Sequence, residues 1–364
     1  MRRPMARRLR GWVAGAMVLA AAAGVLRVAG DGAGKGAADD ERAPAVAPAV
    51  VCRDKEASDQ DDMCLWLHPT DRSQSTVIAS DKAAGRLFVY DLDGRTLQSI
   101  KTPMPGNIDV RYGLPLGGRK VDIVALNQRA SPHQVVVFGV DPATRRLERI
   151  DNGTITNRTN YGGTLLRSAK TGKVYFITTS KEAGCEQYEL ADDGTGKVKG
   201  TKVRSWNVGC SEAAVGNDRT GKVYIAEETK GIWEFPGEPD DPSPGRLVIK
   251  VGENDLRADV EGLAIHPDVG GSPCLLVSNQ SRNNFKVYRL DGKFTFVGTF
   301  AVEGARDTDG IDVTAADLGG RFAGGLFACH TDDAVCPVLL VPWARIAAAL
   351  GAGPKGPAPA GDGK

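Results

Sequence analysis

The chain has 364 residues, 41% hydrophobic and 25% charged, with 45 Gly and 20 Pro, which is globular composition with length enough for a large core. Its formal net charge of +1 excludes a global field for nucleic acid or an acidic partner, so any charge-driven binding is local. The seven Cys form no Cys-x-x-Cys pair and only four His are present, which gives little support to a zinc site or a thioredoxin-like redox role.

Arg2, Arg3, Arg7, Arg8 and Arg10 precede an apolar run from Trp12 to Leu26. That run falls short of the roughly 20 apolar residues a membrane span needs, so residues 1–30 read as an export signal. The expected location is secreted or periplasmic, with no membrane attachment after signal cleavage. Residues 31–50, rich in Ala, Gly, Pro and acids and without periodicity, predict a disordered linker. Residues 51–350 form the folded domain, and residues 351–364 a Gly/Pro/Ala-rich disordered tail. An exported chain permits disulfides, and three pairings are open: Cys52 with Cys64, Cys185 with Cys210, and Cys329 with Cys336, leaving Cys274 free.

Short β-rich runs fill the folded part. Thr76-Val77-Ile78-Ala79 is followed by Arg86-Leu87-Phe88-Val89-Tyr90, the turn Asp93-Gly94, and Thr96-Leu97-Gln98-Ser99-Ile100. The same grammar returns in Lys222-Val223-Tyr224-Ile225-Ala226, Gly231-Ile232-Trp233-Glu234-Phe235 and Arg246-Leu247-Val248-Ile249-Lys250. The one expected helix is short, near Ala344 to Leu350.

Acids recur at the heads of these units, in Asp61-Asp62, Ile108-Asp109, Ser211-Glu212, Asp259-Val260-Glu261 and Asp307-Thr308-Asp309. The spacings are 109−62 = 47, 261−212 = 49 and 309−261 = 48, with about two further units between 109 and 212. Several strands per unit of 40–50 residues is the pattern of propeller blades, and the folded length holds about six of them. The expected fold is therefore all-β, a single six-bladed β-propeller, with a β-sandwich pair or barrel as the rival. Inner strands of a propeller face the axis, so the acids would crowd there, each raising the others' pKa and resisting ionisation. Bound cations remove the conflict, and an all-oxygen donor set suits Ca²⁺, several ions of it. The plain alternative is solvated carboxylates on a rim.

Lys82, Arg129, Tyr161 and Lys181-Glu182 each follow a predicted strand end. Singly, such cations are ordinary surface residues. With calcium beside them they suggest a face that binds phosphoryl oxygens.

Taken in order, several motifs resemble the β-propeller phytases, which are exported calcium-dependent phosphatases. They are Asp61-Asp62-x-x-Leu65-Trp66-x-His68-Pro69, Asp109-Val110-Arg111-Tyr112, Lys181-Glu182-x-x-x-Glu186-Gln187-Tyr188-Glu189-Leu190, Tyr224-Ile225-Ala226-Glu227-Glu228, Asp259-Val260-Glu261-Gly262-Leu263 and Asp307-Thr308-Asp309-Gly310-Ile311-Asp312. The resemblance covers Asp61 to Trp343. It implies calcium ligands at Asp61, Asp62, Glu212, Glu228, Asp259, Glu261 and Asp309, with Gln280 and Glu303 at a neighbouring ion. It implies phosphate binding by Lys82, Arg129, Tyr161 and Lys181, and catalytic roles for Lys181, Glu182 and Tyr161. The implied reaction is 3-phytase-like: phosphate release from inositol hexakisphosphate, free or as its calcium salt, by direct attack of metal-bound water, performed by a monomer. Met63, Ala213 and Glu303 depart from the family's usual Pro, Gly and Asp, so the ion near Glu303 is the one placed in doubt.

Other phosphatase chemistries lack their residues. The chain has no Arg-His-Gly, no Cys followed six positions later by Arg, and no Gly-x-x-x-x-Gly-Lys followed by the Ser or Thr of a phosphate loop. Two further readings stand beside the phosphatase: a calcium-dependent lactonase or esterase propeller, and a non-catalytic, calcium-stabilised propeller that binds a polyanion.

Overall fold

The structure, a computed structural model, describes residues 43–182, 184–333 and 337–351. The expected signal, the first part of the expected linker and the tail beyond Gly351 lie outside the described residues.

Six sheets are arranged as a six-bladed propeller. Blade one runs outward through Gln60–Trp66, Thr76–Asp81, Arg86–Tyr90 and Thr96–Lys101. Blade two runs from Pro105–Leu116 to Arg146–Arg149, blade three from Gly163–Arg167 to Val198–Trp206, and blade four from Ala214–Asn217 to Arg246–Lys250. Blade five runs from Val260–His266 to Phe296–Val302. Blade six holds Ile311–Thr314, Leu326–His330 and Val338–Pro342. Each inner strand lies beside the next, and the sixth beside the first, so the ring closes.

Closure uses the start of the folded chain. Val50–Cys52 pairs antiparallel with Val338–Pro342 as the outer strand of blade six, and Ala45–Val46 pairs in parallel with Phe296–Val302. Residues 45, 46 and 50, counted with the linker on composition, therefore belong to the propeller. What recruits them is unpaired backbone at two sheet edges, which composition does not register. The expected helix is present as Trp343–Ala349.

The core is divided into wedges, one between each pair of neighbouring blades. Leu65, Val77 and Phe88 of blade one pack with Leu326 and Leu340 of blade six, while Trp66, Ile78 and Leu87 pack with Val124, Leu126 and Phe138 of blade two. Every inter-blade wedge needs apolar residues on both faces of the sheet, so the strands read as continuous apolar runs. The same wedges correct the cysteine pairings. Cys52 lies in the wedge between blades six and one, and Cys64 in the wedge between blades one and two. Cys185 is buried between blades three and four, whereas the Cys210 thiol donates to Glu228. Cys52, Cys64, Cys185, Cys210, Cys274 and Cys329 are all free thiols, acting mostly as small apolar side chains. Cys336, the expected partner of Cys329, lies outside the described residues.

Three inner strands bulge at their heads. In blade one the register passes from Gln60↔Asp81 to Met63↔Ala79, leaving Asp61 and Asp62 opposite Ser80 alone. Blade two does the same at Gly106-Asn107, and blade five at Glu261-Gly262. An extra residue there bends the strand and re-aims its side chains.

Candidate active site

The residue at the head of each inner strand forms one ring: Asp61, Gly106, Tyr161, Glu212, Glu261 and Asp309. Backbone bonds fix the equivalence. The residue after each head accepts from the end of its own second strand, as in Thr179 N–H to Gly162 O at 3.0 Å, Ala226 N–H to Ala213 O at 3.0 Å and His330 N–H to Gly310 O at 3.1 Å. Neighbouring blades are tied at the same level by Gly262 N–H to Asp309 O at 2.7 Å and Gly310 N–H to Asp61 O at 3.0 Å.

Asp61 is 1% exposed, and two cations hold it. Lys82 Nζ lies 2.7 Å from Asp61 Oδ1, 3.5 Å from Asp309 Oδ2 and 3.6 Å from Asp59 Oδ1. Arg129 Nη2 lies 3.1 Å from Asp61 Oδ2 and also donates to Glu212. Gly106 makes this possible: a Cβ there would come within 2.8 Å of Arg129 Nε, so the guanidinium crosses the ring where blade two has no side chain. Tyr161 fills the third station, with Arg129 4.9 Å and Lys181 Nζ 4.4 Å from its ring centre.

Burial works against ionisation of Asp61, yet Arg129 and Lys82 hold its carboxyl below the usual range. Burial would also neutralise Lys82, but Asp61, Asp309 and Asp59 keep it charged by raising its pKa. Asp309 is pushed up by burial and by Asp61, with Lys82 offsetting part. Glu261 is pushed far above the carboxylate range by burial and then by Asp309, Glu228, Asp61 and Asp259. Its Oε2 is buried and has no hydrogen-bond partner. Tyr161 is raised by burial and by Glu261 and Glu228, so it stays a phenol and can donate to an anion.

The other expected site residues divide. Gln280 Nε2 donates to Asp309 Oδ1 at 2.6 Å, and Glu228 accepts from Cys210 at 3.2 Å beside the ring. Asp259 is exposed and acts on Glu261 through its field. Asp62 turns away from the ring, packs against Gly310 and accepts Ile108 N–H at 3.1 Å. Glu303 is exposed, and among the described residues no side-chain bond joins it to the ring. Glu182 is exposed; its amide bonds Ser180 Oγ at 3.2 Å, and it lines a separate cleft with Arg158 and Lys202.

Asp109, counted above as the blade-two head, sits three residues deeper, beyond Gly106. It matches Asp312 instead. Asp109 accepts Leu165 N–H of blade three at 2.9 Å and Asp312 accepts Leu65 N–H of blade one at 2.8 Å. The deeper layer also holds Arg111, whose guanidinium is 2.8 Å from Asp109 and 2.9 Å from Asp218. The true blade-two station was illegible because a Gly carries no acid to count, and the blade-three station because it holds a Tyr.

Among the described residues no three Asp, Glu, His or Cys side chains close on a single point as a finished coordination shell. Lys82 and Arg129 stand between the acids instead. The donor set nevertheless fits a hard cation: carboxylate oxygens from several blades, one of them a buried oxygen without a partner.

A family model described as Phytase matches residues 12–354. The 3-phytase of Bacillus subtilis (strain 168) is 35% identical over 310 residues, covering 80% of this chain and 81% of that protein. Among solved structures, the calcium-binding protein regucalcin from Agrobacterium tumefaciens superposes with a TM-score of 0.50 at 13% identity, over 82% of this chain and 97% of that one, a likeness of fold alone. With a family match over nearly its whole length and a relative 35% identical over 310 residues, the chain belongs to the β-propeller phytase family.

Proposed function

We propose that this phytase-type phosphatase releases phosphate from inositol hexakisphosphate in a calcium-dependent reaction at the acid ring, by direct attack of water on phosphorus. The observation that carries the reading is the unpartnered, buried Glu261 Oε2 among Asp61, Asp309, Glu228 and Asp259, with Lys82, Arg129 and Tyr161 at the same mouth. An acceptor so placed is costly unless a cation meets it. The residues that would hold calcium are Asp61, Glu212, Glu261 and Asp309, with Glu228, Asp259 and Gln280 around them. Bound there, Ca²⁺ would supply charge neutralisation at the phosphoryl oxygens and acidify a water.

The chain's own side chains do the rest. Arg129 presents a planar fork of donors suited to phosphoryl oxygens, and Lys82 a mobile point charge. Tyr161 donates its phenol proton to the substrate without losing it, and its ring holds Lys181 over the opening. Lys181 is exposed, so it reaches a second phosphate of a polyphosphorylated ring. Glu182 stays in the reading as a neighbour of Lys181 that steers the substrate's cationic counter-ions. Asp62 is taken up by structure, and Glu303 stands apart from the ring. The lactonase reading would need an apolar pocket beside the ring, and this mouth is charged.

The Arg-rich start and the apolar run from Trp12 to Leu26 support export, so the enzyme acts outside the cytoplasm as a monomer. The deciding assay is phosphate release from phytate by purified protein, with Ca²⁺ and with EDTA. Release is expected with calcium and its loss on chelation. Unchanged release in EDTA would overturn the calcium reading, and lactone hydrolysis without phosphate release would overturn the phosphatase reading.

A further inference from the structure

His330 ends the second strand of blade six and is 2% exposed. Its Nδ1 accepts the backbone N–H of Asp309 at 3.2 Å, so the ring is neutral, with its proton assigned to Nε2 by that bond. The His330 backbone holds the neighbours of Asp309 as well. Its N–H donates to Gly310 O at 3.1 Å, and its carbonyl accepts from Thr308 Oγ1 at 3.0 Å. Residues 308, 309 and 310 are thus gripped one after another by a single residue.

The same station in blade three works differently. There the amide of Tyr161, the ring residue, bonds the backbone oxygen of Thr179 at 2.9 Å. In blade six the corresponding amide depends on a side chain. Asp309 also bridges two neighbouring blades, through Gln280 at 2.6 Å and Lys82 at 3.5 Å. A shift of its main chain would move a carboxylate shared by two blades.

We propose that His330 is a positioning residue: its Nδ1 fixes the main chain of Asp309 and so aims that carboxylate into the acid ring, where it would meet calcium. The proposal rests on the calcium reading above. Groups that orient a metal ligand without touching the metal typically change affinity by about 10- to 100-fold when removed.

The test measures calcium binding by titration calorimetry and the calcium-induced rise in melting temperature, neither of which requires turnover. The proteins are the full chain and its His330→Asn, His330→Leu and His330→Ala variants. Asn can place its carboxamide oxygen near the position of Nδ1 and accept the Asp309 amide, whereas Leu fills the volume and accepts nothing. Expected are a roughly tenfold or larger rise in calcium Kd for His330→Leu and His330→Ala, and recovery of most of the affinity in His330→Asn. Leu recovering affinity where Asn does not would make His330 a packing residue and overturn the proposal. Unchanged affinity in all three variants would overturn it too, while leaving the calcium reading intact. A parent chain that binds no calcium at all would overturn both. Should His330→Ala fail to fold, the Asn and Leu comparison decides alone.

Discussion

Glu261→Gln tests the acid ring because its effect on stability should change sign with calcium. Glu261 is 5% exposed, and its Oε2 faces buried space with no donor. Leaving a buried polar atom unsatisfied costs about 1–3 kcal/mol, and more when it is charged. Gln removes the charge and turns one atom into a donor among the carboxylates of Asp309, Glu228 and Asp61. In EDTA the variant should therefore be more stable by about 1–3 kcal/mol, or roughly 2–6 °C for a domain of this size. The gain depends on pH in a fixed direction. Burial, then Asp309, Glu228 and Asp61, raise the folded-state pKa of Glu261 above its unfolded value. Below the unfolded value both states are protonated and no cost exists; as pH rises the unfolded chain ionises first and the cost grows until the folded group ionises too. The gain should accordingly be larger at pH 8.5 than at pH 5. Calcium should reverse the order, since the parent keeps a charged carboxylate oxygen for the ion that the variant lacks. Differential scanning calorimetry at both pH values, with EDTA and with Ca²⁺, reads all four cases. A variant less stable than the parent in EDTA at both pH values, or one with an undiminished calcium-induced shift, would refute the argument.

Lys181→Ala should lower kcat/KM on phytate by about 10- to 100-fold, the worth of one charge-assisted contact, while costing under about 1 kcal/mol of stability for the lost ring contact. Steady-state kinetics beside a melting curve checks both, and equal losses would make Lys181 structural. His266, 2% exposed and stacked on Trp343 at 4.0 Å, has its pKa lowered to about 4 by burial. The unfolded chain takes up a proton first as pH falls, so about 3 kcal/mol of stability should be lost between pH 6.5 and 4. His266→Phe keeps the stack and should flatten that acid limb in urea unfolding, at a cost near pH 7 of about 1 kcal/mol for the lost Asp268 amide bond. Arg111→Met leaves the half-buried Asp109 and Asp218 without their cation, and should cost about 1–3 kcal/mol, read as a lower urea midpoint.

The architecture was legible in the sequence because propeller blades repeat a whole four-strand unit, and the period survives variation inside it. The acids at 212, 261 and 309 were legible for the same reason. Asp109 misled because a period of 40–50 residues tolerates an error of three, and three residues along an inner strand is a different layer of the channel. Gly106 and Tyr161 broke the acid pattern, so two stations of the ring could be found only from backbone bonds. The cysteine pairings failed for a physical reason as well: proximity in sequence between Cys52 and Cys64 says nothing about which side of a blade each thiol faces. His330 carried no signal beyond being one of four His. Its role depends on which ring nitrogen meets which amide, and no spacing encodes that.

What separates the acids of this channel is how they are satisfied. In the deeper layer Asp312 and Asp109, and just past the ring Asp62, each accept a backbone amide from the next blade, at Leu65, Leu165 and Ile108. Asp218 of blade four takes the amide of Arg167 in the preceding blade, and Arg111 adds a cation between Asp109 and Asp218. These carboxylates join strands and close the ring; burial raises the pKa of Asp62 and Asp312, and the amides they accept offset only part of that rise. Three residues higher the inner strands bulge or have not yet begun, and backbone amides no longer reach the side chains at the heads. Asp61 must borrow Lys82 and Arg129 from loops, and Glu261 has one oxygen with no partner. An amide cannot leave its carboxylate without unfolding a strand, but a loop cation or a bound ion can. The end of the inner strands is therefore where the fold stops supplying permanent partners, and that is where exchangeable cations and phosphate can compete for the same oxygens.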